Sequence, residues 1–370
     1  MAPIVLTLGI TLALLAAGVW VGVALGLSGI IGLAQVLGWH RALDIVGKIA
    51  WEQNTSFVLV AIPMFIFMGE LLFQSGLMSR VYLRAATLVS GVPGGLLQAN
   101  IAACTLFAAC SGSSVASAAT IGSVGYPEIV KRGYNKPIAL GSIAAGGTLG
   151  ILIPPSIIFI VYGSLAEVSV GKLFLAGLLP GLVLAALGAS MSILITIVSR
   201  CFSFAAVWRA GVGTVRQTSM ILFVIFTAKI LAMTLIYFRV PATVVAWINS
   251  MELSVGNIFS AVVVIYLVLG MFVDGIAMMV ITIPFIVPIM AAAQMDPVWM
   301  GVVICILIEV GLLTPPVGLN LYVLQGATGA QMRDVIAGAW PFIVIQVAIL
   351  AALYRWPDIA LYLPRALMGH

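Results

Sequence analysis

Charged side chains interrupt the chain at long intervals. Between them lie uncharged stretches at 1–40, 53–69, 85–127, 137–166, 173–199, 253–273, 275–295, 310–332 and 335–354. A helix rising 1.5 Å per residue needs about 20 predominantly apolar residues to cross about 30 Å of hydrocarbon. Most of these stretches therefore predict one membrane span each. The stretch 1–40 predicts a retained first span over about 3–37, because no basic region precedes it and its apolar run outlasts a leader peptide. The stretch 85–127 is too long for one straight helix and contains the polar cluster Ser111-Gly112-Ser113-Ser114. Arms of roughly 17 and 14 residues flank that cluster and reach only about 20–25 Å. They predict a re-entrant hairpin with its tip at 111–114. Non-helical backbone at that depth is tolerated where it is buried in protein or lines a watery cavity.

The pattern also repeats. Gly150-Ile-Leu-Ile-Pro154-Pro155 recurs 161 residues later as Gly311-Leu-Leu-Thr-Pro315-Pro316. In the same register Ala176-Gly177 and Pro180 meet Ala337-Gly338 and Pro341, Pro127 meets Pro288, and Gly95 meets Gly256. Ser113 then falls opposite Asp274, which predicts a second hairpin with a carboxylate at its tip. After each hairpin comes a span that must break, because two adjacent prolines remove amide donors and clash with the preceding turn. The resulting organisation is a scaffold span at 1–48, a first repeat at 49–209 and a second at 210–370. The first repeat holds a hairpin at about 95–130 and a broken helix at about 137–163. The second holds a hairpin at about 256–292 and a broken helix at about 298–325. The first span has no partner in the second half.

Loop charge orients the repeats. Arg80, Arg84, Lys131, Arg132 and Lys136 flank the first hairpin, and Arg200, Arg209 and Arg216 follow the last span of the first repeat. The positive-inside rule places both groups in the cytoplasm. One further span at about 217–236 puts the mouth of the second hairpin outside, so the repeats are inverted. Met1 is expected in the cytoplasm and His370 outside.

Composition narrows the class. Of 370 residues, 63% are hydrophobic and 7% charged, against about 25% charged in a soluble domain. The chain reads as an all-α polytopic membrane protein and not as a nucleic-acid binder. With 38 glycines and 17 prolines, broken helices are expected. Cys104, Cys110, Cys201 and Cys305 lack zinc-site spacing and read as small buried hydrophobes. His40 and His370 are the only histidines, too few for a membrane serine or zinc hydrolase. No enzyme activity and no cofactor are expected.

Inverted repeats with discontinuous helices are the architecture of secondary transporters. A broken helix offers free carbonyls at one half and free amides at the other. The breaks lie at Gly146-Gly147-Thr148-Leu149-Gly150 with Pro154-Pro155, and at Glu309-Val310-Gly311 with Thr314-Pro315-Pro316. The hydroxyls of Ser111, Ser113, Ser114, Thr148 and Thr314 and the carboxylate of Asp274 are hard oxygen donors suited to a hard cation. Glu309 is expected to be functional as an intramembrane carboxylate. Asn320 either caps the broken helix or lines the site. The serines could equally be helix-packing contacts.

Several motifs together resemble the large membrane subunit of tripartite ATP-independent periplasmic (TRAP) transporters. They are Gly69-Glu70-Leu71, the run from Cys110 to Ala119, the run from Gly147 to Ser156, the run from Gly171 to Gly177 and the run from Gly311 to Asn320. The resemblance spans nearly the whole chain. It implies an elevator-type carrier of the bacterial or archaeal inner membrane. Its implied partners are a small four-helix membrane subunit and a periplasmic binding protein that delivers an organic anion: a C4-dicarboxylate, a sialic acid or a keto acid. It implies Na⁺ as coupling ion at two sites, one joining Ser111, Ser113 and Ser114 to Gly147, Thr148 and Gly150, the other joining Asp274 to Gly311 and Thr314. Pro154, Pro155, Glu309, Pro315, Pro316 and Asn320 would frame the substrate cavity at the broken helices. Two departures stand out. Asp274 is followed by Gly275-Ile276, where the family usually has a hydroxyl. The interval 199–217 is short by about one pair of membrane segments. Other readings are a standalone carrier of the same superfamily and a non-transporting remnant.

Overall fold

A computed structural model of the chain describes residues 2–76, 82, 97, 100, 101, 103, 104, 107, 114–131, 133–152, 156–176, 204–240, 242, 243, 246, 250, 254–271, 273–315 and 318–368. All the regular structure among them is helical. Three helical stretches are long and apolar enough to cross a membrane: Gly211–Tyr237, Gly275–Ala292 and Met332–Arg355.

The chain opens with α1 (Ala2–Ala16) and α2 (Val21–Leu37). Residues 3–37 are thus two helices rather than the single span expected. The chain turns between them at Gly18, whose φ of 77° suits only glycine comfortably. Thr11 Oγ1 donates to Ser28 Oγ at 2.8 Å and holds the two side by side. An all-apolar turn carries no charge, so a reading punctuated by charges runs through it. The amphipathic helix α3 (Trp39–Asn54) follows, with Ala42, Ile49 and Gln53 buried and Trp39, Leu43 and Trp51 exposed. Helix α4 (Phe57–Gln74) completes the first group.

The next group is α5 (Ser114–Lys131), α6 (Lys136–Leu152), α7 (Ile157–Ala166) and α8 (Val170–Ala176). Helix α6 is described as far as Leu152, and α7 begins at Ile157 after an extended Ser156, so the helix is interrupted just after the first proline pair. Ser156 starts α7 by accepting a hydrogen bond from the Phe159 amide at 3.3 Å. The prolines themselves lie outside the described residues, as do Arg80, Arg84 and 177–203.

Helix α9 (Phe204–Tyr237) is 34 residues long. The span expected at about 217–236 extends thirteen residues further toward its N-terminus and carries Arg209 and Arg216 within it. It packs along α2, where Gly22, Gly26, Gly29 and Gly32 face Phe223, Thr227, Ile230 and Thr234. Thr234 Oγ1 donates to the Gly29 carbonyl at 2.8 Å. Small residues let two helices approach closely where lipid supplies no hydrophobic drive.

The last group is α10 (Val255–Gly270), α11 (Gly275–Ala292), α12 (Pro297–Leu313), α13 (Leu319–Thr328), α14 (Met332–Arg355) and α15 (Asp358–Met368). Helices α10 and α11 follow the expected second hairpin, with a turn of a few residues ending at Asp274. Helix α12 is capped by Asp296, which accepts from the Val298 amide at 2.8 Å and the Trp299 amide at 3.1 Å, with Pro297 in its first turn. It is the most deeply enclosed helix: every residue from Val298 to Leu313 is buried. It ends at Leu313, and α13 restarts at Leu319, bracketing the second proline pair.

Candidate functional site

A cavity of about 350 Å³ opens where the helix interruptions converge. Ser114 and Val115 enter it from the start of α5, Ile157 and Ile158 from the start of α7, Gly275 and Ile276 from the start of α11, and Leu319 from the start of α13. Ile151 and Leu312 enter from the ends of α6 and α12. Asp274, the last residue of the second tip, lines the same space. The opposite wall comes from α9 through Gln217, Met220 and Ile221. Three helix starts, those of α7, α11 and α13, therefore face one small volume. A helix start presents unpaired amides and the positive end of its dipole, which favours an anion.

The three starts are not equivalent. Asp274 Oδ1 accepts from the Ile276 and Ala277 amides at 3.1 and 3.2 Å and so occupies the start of α11. Ser156 occupies one amide of α7. Gly318, at φ 53°, precedes α13 with no side-chain cap. The start of α13 is therefore open.

The sequence-predicted residues separate into two constellations. Ser114 and Asp274 line the cavity. Gly147 lies behind Ser114, close enough that a methyl group there would sit 3.2 Å from the Ser114 carbonyl oxygen. Asn320, fully buried, donates from Nδ2 to Ser114 Oγ and ties the first tip to the second broken helix. Replacing Asn320 by leucine is expected to free Ser114 and lower stability by about 1 kcal/mol, measurable as a fall in the midpoint of thermal unfolding. Gly311 packs on Gly270, backbone to backbone, where α12 meets the first arm of the second hairpin. Thr314 folds back to donate to the Val310 carbonyl at 2.6 Å, and Pro315 follows it at the break. Gly150 stands in the last turn of α6. Ser111, Ser113, Pro154, Pro155 and Pro316 lie outside the described residues.

Thr148 and Glu309 form the second constellation, away from the cavity lining. They are 161 residues apart, at matching positions of the two broken helices. One side chain joins them. Gln346 Nε2, from α14, donates to Thr148 Oγ1 at 3.2 Å and to Glu309 Oε2 at 3.1 Å. Thr148 Oγ1 in turn donates to the Ala145 carbonyl at 2.9 Å. All three residues are at least nine-tenths buried, and Glu309 Oε1 and Gln346 Oε1 have no hydrogen-bond partner among the described residues. The Leu152 backbone also faces Glu309. Cys305, one turn before Glu309, donates its thiol to the Ile151 carbonyl at 3.4 Å and thereby takes up one carbonyl freed by the first break.

Neither Gln346 nor Gln217 is a charge or a hydroxyl, the groups that stand out in apolar runs. Gln346 is a lone amide in an apolar span, whereas Gln217 stands among Arg216, Thr218 and Ser219 and carries no such signal. Gln217 reaches the cavity with its Nε2 donating to Glu70 Oε1 on α4 at 2.9 Å.

The family described as the tripartite ATP-independent periplasmic transporter, DctM component, matches residues 8–192 and 183–359. The chain belongs to this family. Among its relatives, the C4-dicarboxylate TRAP transporter large permease protein DctM of Pseudomonas aeruginosa is 31% identical, with 92% of this chain and 93% of that protein aligned. The protein of the same name from Vibrio cholerae is 30% identical over 95% of each chain. The ectoine TRAP transporter large permease protein TeaC of Halomonas elongata is 26% identical over 92% of this chain and 94% of its own length. These relatives are transporter permease subunits and not enzymes, and the DctM family is one of membrane transport. The Pseudomonas alignment spans 404 positions, more than the part of this chain it uses. The relative therefore has positions without a counterpart in this chain.

Proposed function

We propose that this DctM-family chain is the membrane permease subunit of a TRAP system and imports a small organic anion coupled to Na⁺. The observation that carries the reading is the cavity at which three helix starts face one another, with no side-chain cap on that of α13. A carboxylate is attracted there by backbone amides and helix dipoles without any cationic side chain. The tip carboxylate of Asp274 has Oδ1 engaged in capping, which leaves Oδ2 for a coupling cation. Hard oxygen ligands of this kind suit a small hard cation, and the first tip with Gly147 behind it supplies a hydroxyl and main-chain carbonyls for another. Loading cations near the tips neutralises Asp274 and permits the anion to enter beside it.

The two halves are read as inverted repeats. The hairpins and broken helices form the transport block, and α1–α4 with α9 form the scaffold. The cavity lies between the block and α9, so moving the block past α9 would carry the substrate from one side of the membrane to the other. A small four-helix subunit would sit against the scaffold, and a periplasmic binding protein would deliver the substrate. The names of the relatives, which include carriers of C4-dicarboxylates and ectoine, support an organic acid or zwitterion as cargo.

Proteoliposomes containing the chain, its small subunit and its binding protein are expected to accumulate a labelled organic acid when an inward Na⁺ gradient is imposed. Absence of uptake by a folded complex with its cognate binding protein would favour a non-transporting remnant. Asp274→Ala is expected to reduce the steepness of the Na⁺ dependence by about one ion's worth. An unchanged Hill coefficient removes Asp274 from the cation site.

A further inference from the structure

The polar groups around the cavity divide into a donor side and an acceptor side. The donor side is built from the start of α13 and from Ser114. Backbone amides begin α13, and Ser114 Oγ, which accepts from Asn320, retains its hydroxyl proton to donate. The acceptor side is built from Gln217, since Asp274 is held by two amides of its own helix through Oδ1 and gives Oδ2 to the coupling cation.

Gln217 needs a closer argument. An amide offers a carbonyl at one end and an NH₂ at the other, and its orientation follows from its partners. Glu70 is a carboxylate and can only accept while ionised, so the Gln217 nitrogen must face it, as the 2.9 Å contact has it. Glu70 is absent from the cavity lining, and that single hydrogen bond is the one Gln217 makes among the described residues. The end of the amide left to the cavity is the carbonyl oxygen. No lysine, arginine or histidine is among the described lining residues.

We infer that the cavity selects a small monocarboxylate whose far end donates hydrogen bonds, through a hydroxyl or an ammonium, over a dicarboxylate, with Gln217 as the specificity-determining residue and Glu70 as the residue that positions it. The inference rests on the reading of this cavity as the substrate site. The carboxylate of such a ligand meets the start of α13 and Ser114. Its hydroxyl or ammonium meets Gln217 Oε1. A second carboxylate in that place would face an amide carbonyl, itself an acceptor, with no cationic side chain among the described lining residues to offset its desolvation.

Four acids of one chain length isolate the far group: 4-hydroxybutyrate, 4-aminobutyrate, butyrate and succinate. The full-length chain is placed in lipid nanodiscs in saturating Na⁺, and each acid is titrated while the unfolding midpoint is followed, since a ligand of the folded state raises it. The hydroxy and amino acids are expected to act at concentrations about tenfold below butyrate, the worth of one good hydrogen bond, and succinate is expected to be the weakest of the four. Succinate acting at or below the concentration of 4-hydroxybutyrate overturns the inference and leaves the cavity as a carboxylate site. No effect of any acid on the folded chain overturns both.

Gln217→Met keeps the size and removes the carbonyl. Its expected result is 4-hydroxybutyrate reduced to the level of butyrate, with butyrate itself unchanged. An equal loss for both acids would assign Gln217 a purely structural role. Glu70→Gln, which removes the acceptor that fixes the amide, is expected to narrow the same ratio while butyrate holds constant. An unaltered ratio in that variant rejects the positioning role of Glu70.

Discussion

Replacing Gly338 by alanine is expected to leave no stable folded chain. Gly338 of α14 and Gly141 of α6 lie against each other where the two helices cross. A methyl group at 338 would fall on the carbonyl oxygen of Pro137, and one at 141 on the carbonyl oxygen of Gly338. Both obstacles are main chain and cannot rotate aside, so α14 must shift as a whole. Overpacking that side chains can absorb costs about 1–3 kcal/mol, and a backbone clash belongs at or beyond the upper end. The displacement also pulls Gln346 away from Thr148 and Glu309, adding the loss of two buried hydrogen bonds. Gly326→Ala is the matched control, since nothing lies within 4 Å of a methyl group there. As a mid-helix position it is expected to gain about 0.5–1 kcal/mol. The pair is compared by size-exclusion profile and unfolding midpoint in detergent. A monodisperse Gly338→Ala protein with an unaltered midpoint rejects the close crossing.

The second large effect is a non-additive one. Gln346→Leu removes the side-chain donor to Glu309 Oε2 and leaves a polar group deep in protein with only the Leu152 backbone facing it. A net hydrogen bond contributes about 0.5–1.5 kcal/mol, and a stranded buried partner costs about 1–3 kcal/mol. The single variant is expected to fall by about 2 kcal/mol. In the double variant Glu309→Leu with Gln346→Leu the buried acceptor is gone as well, and much of the loss is expected to return. Equal and additive losses, measured as a double-mutant cycle on unfolding midpoints, would mean that the amide and the carboxylate do not act together. Thr148→Val tests the other end of the bridge, with a smaller expected loss, because its hydroxyl keeps no charge at stake.

The interruptions of the helices were readable from sequence because their causes are local. Two adjacent prolines break a helix whatever surrounds them, and α6, α7, α12 and α13 end and begin within a few residues of the expected places. The turn between α10 and α11 was equally readable, since Asp274 is a charge alone in an apolar run and caps the helix that follows it. Features that arise between distant segments were not. Nothing local distinguishes Gln346 or Gln217 from a solvated glutamine, and only the fold brings them to Glu309 and Glu70. The turn at Gly18 was missed because a chain leaving and re-entering lipid there needs no charged residue to mark it. The exclusion of Thr148 and Glu309 from the cavity has the same origin. Sequence places both beside a break, and the direction in which each points is set by α14, some two hundred residues after Thr148.

The glycine face of α2 has a consequence for biosynthesis. Its closest partner is α9, and the Thr234 hydroxyl that meets the Gly29 carbonyl is 205 positions further along the chain. A translocon releases segments in order, so α2 enters the lipid long before α9 exists. Throughout that interval the face at Gly22, Gly26, Gly29 and Gly32 waits for the side chains that will lie on it. The α2–α9 contact can therefore form only after the first half of the chain has been made, and a ribosome stalled before residue 237 leaves that glycine face without its full partner.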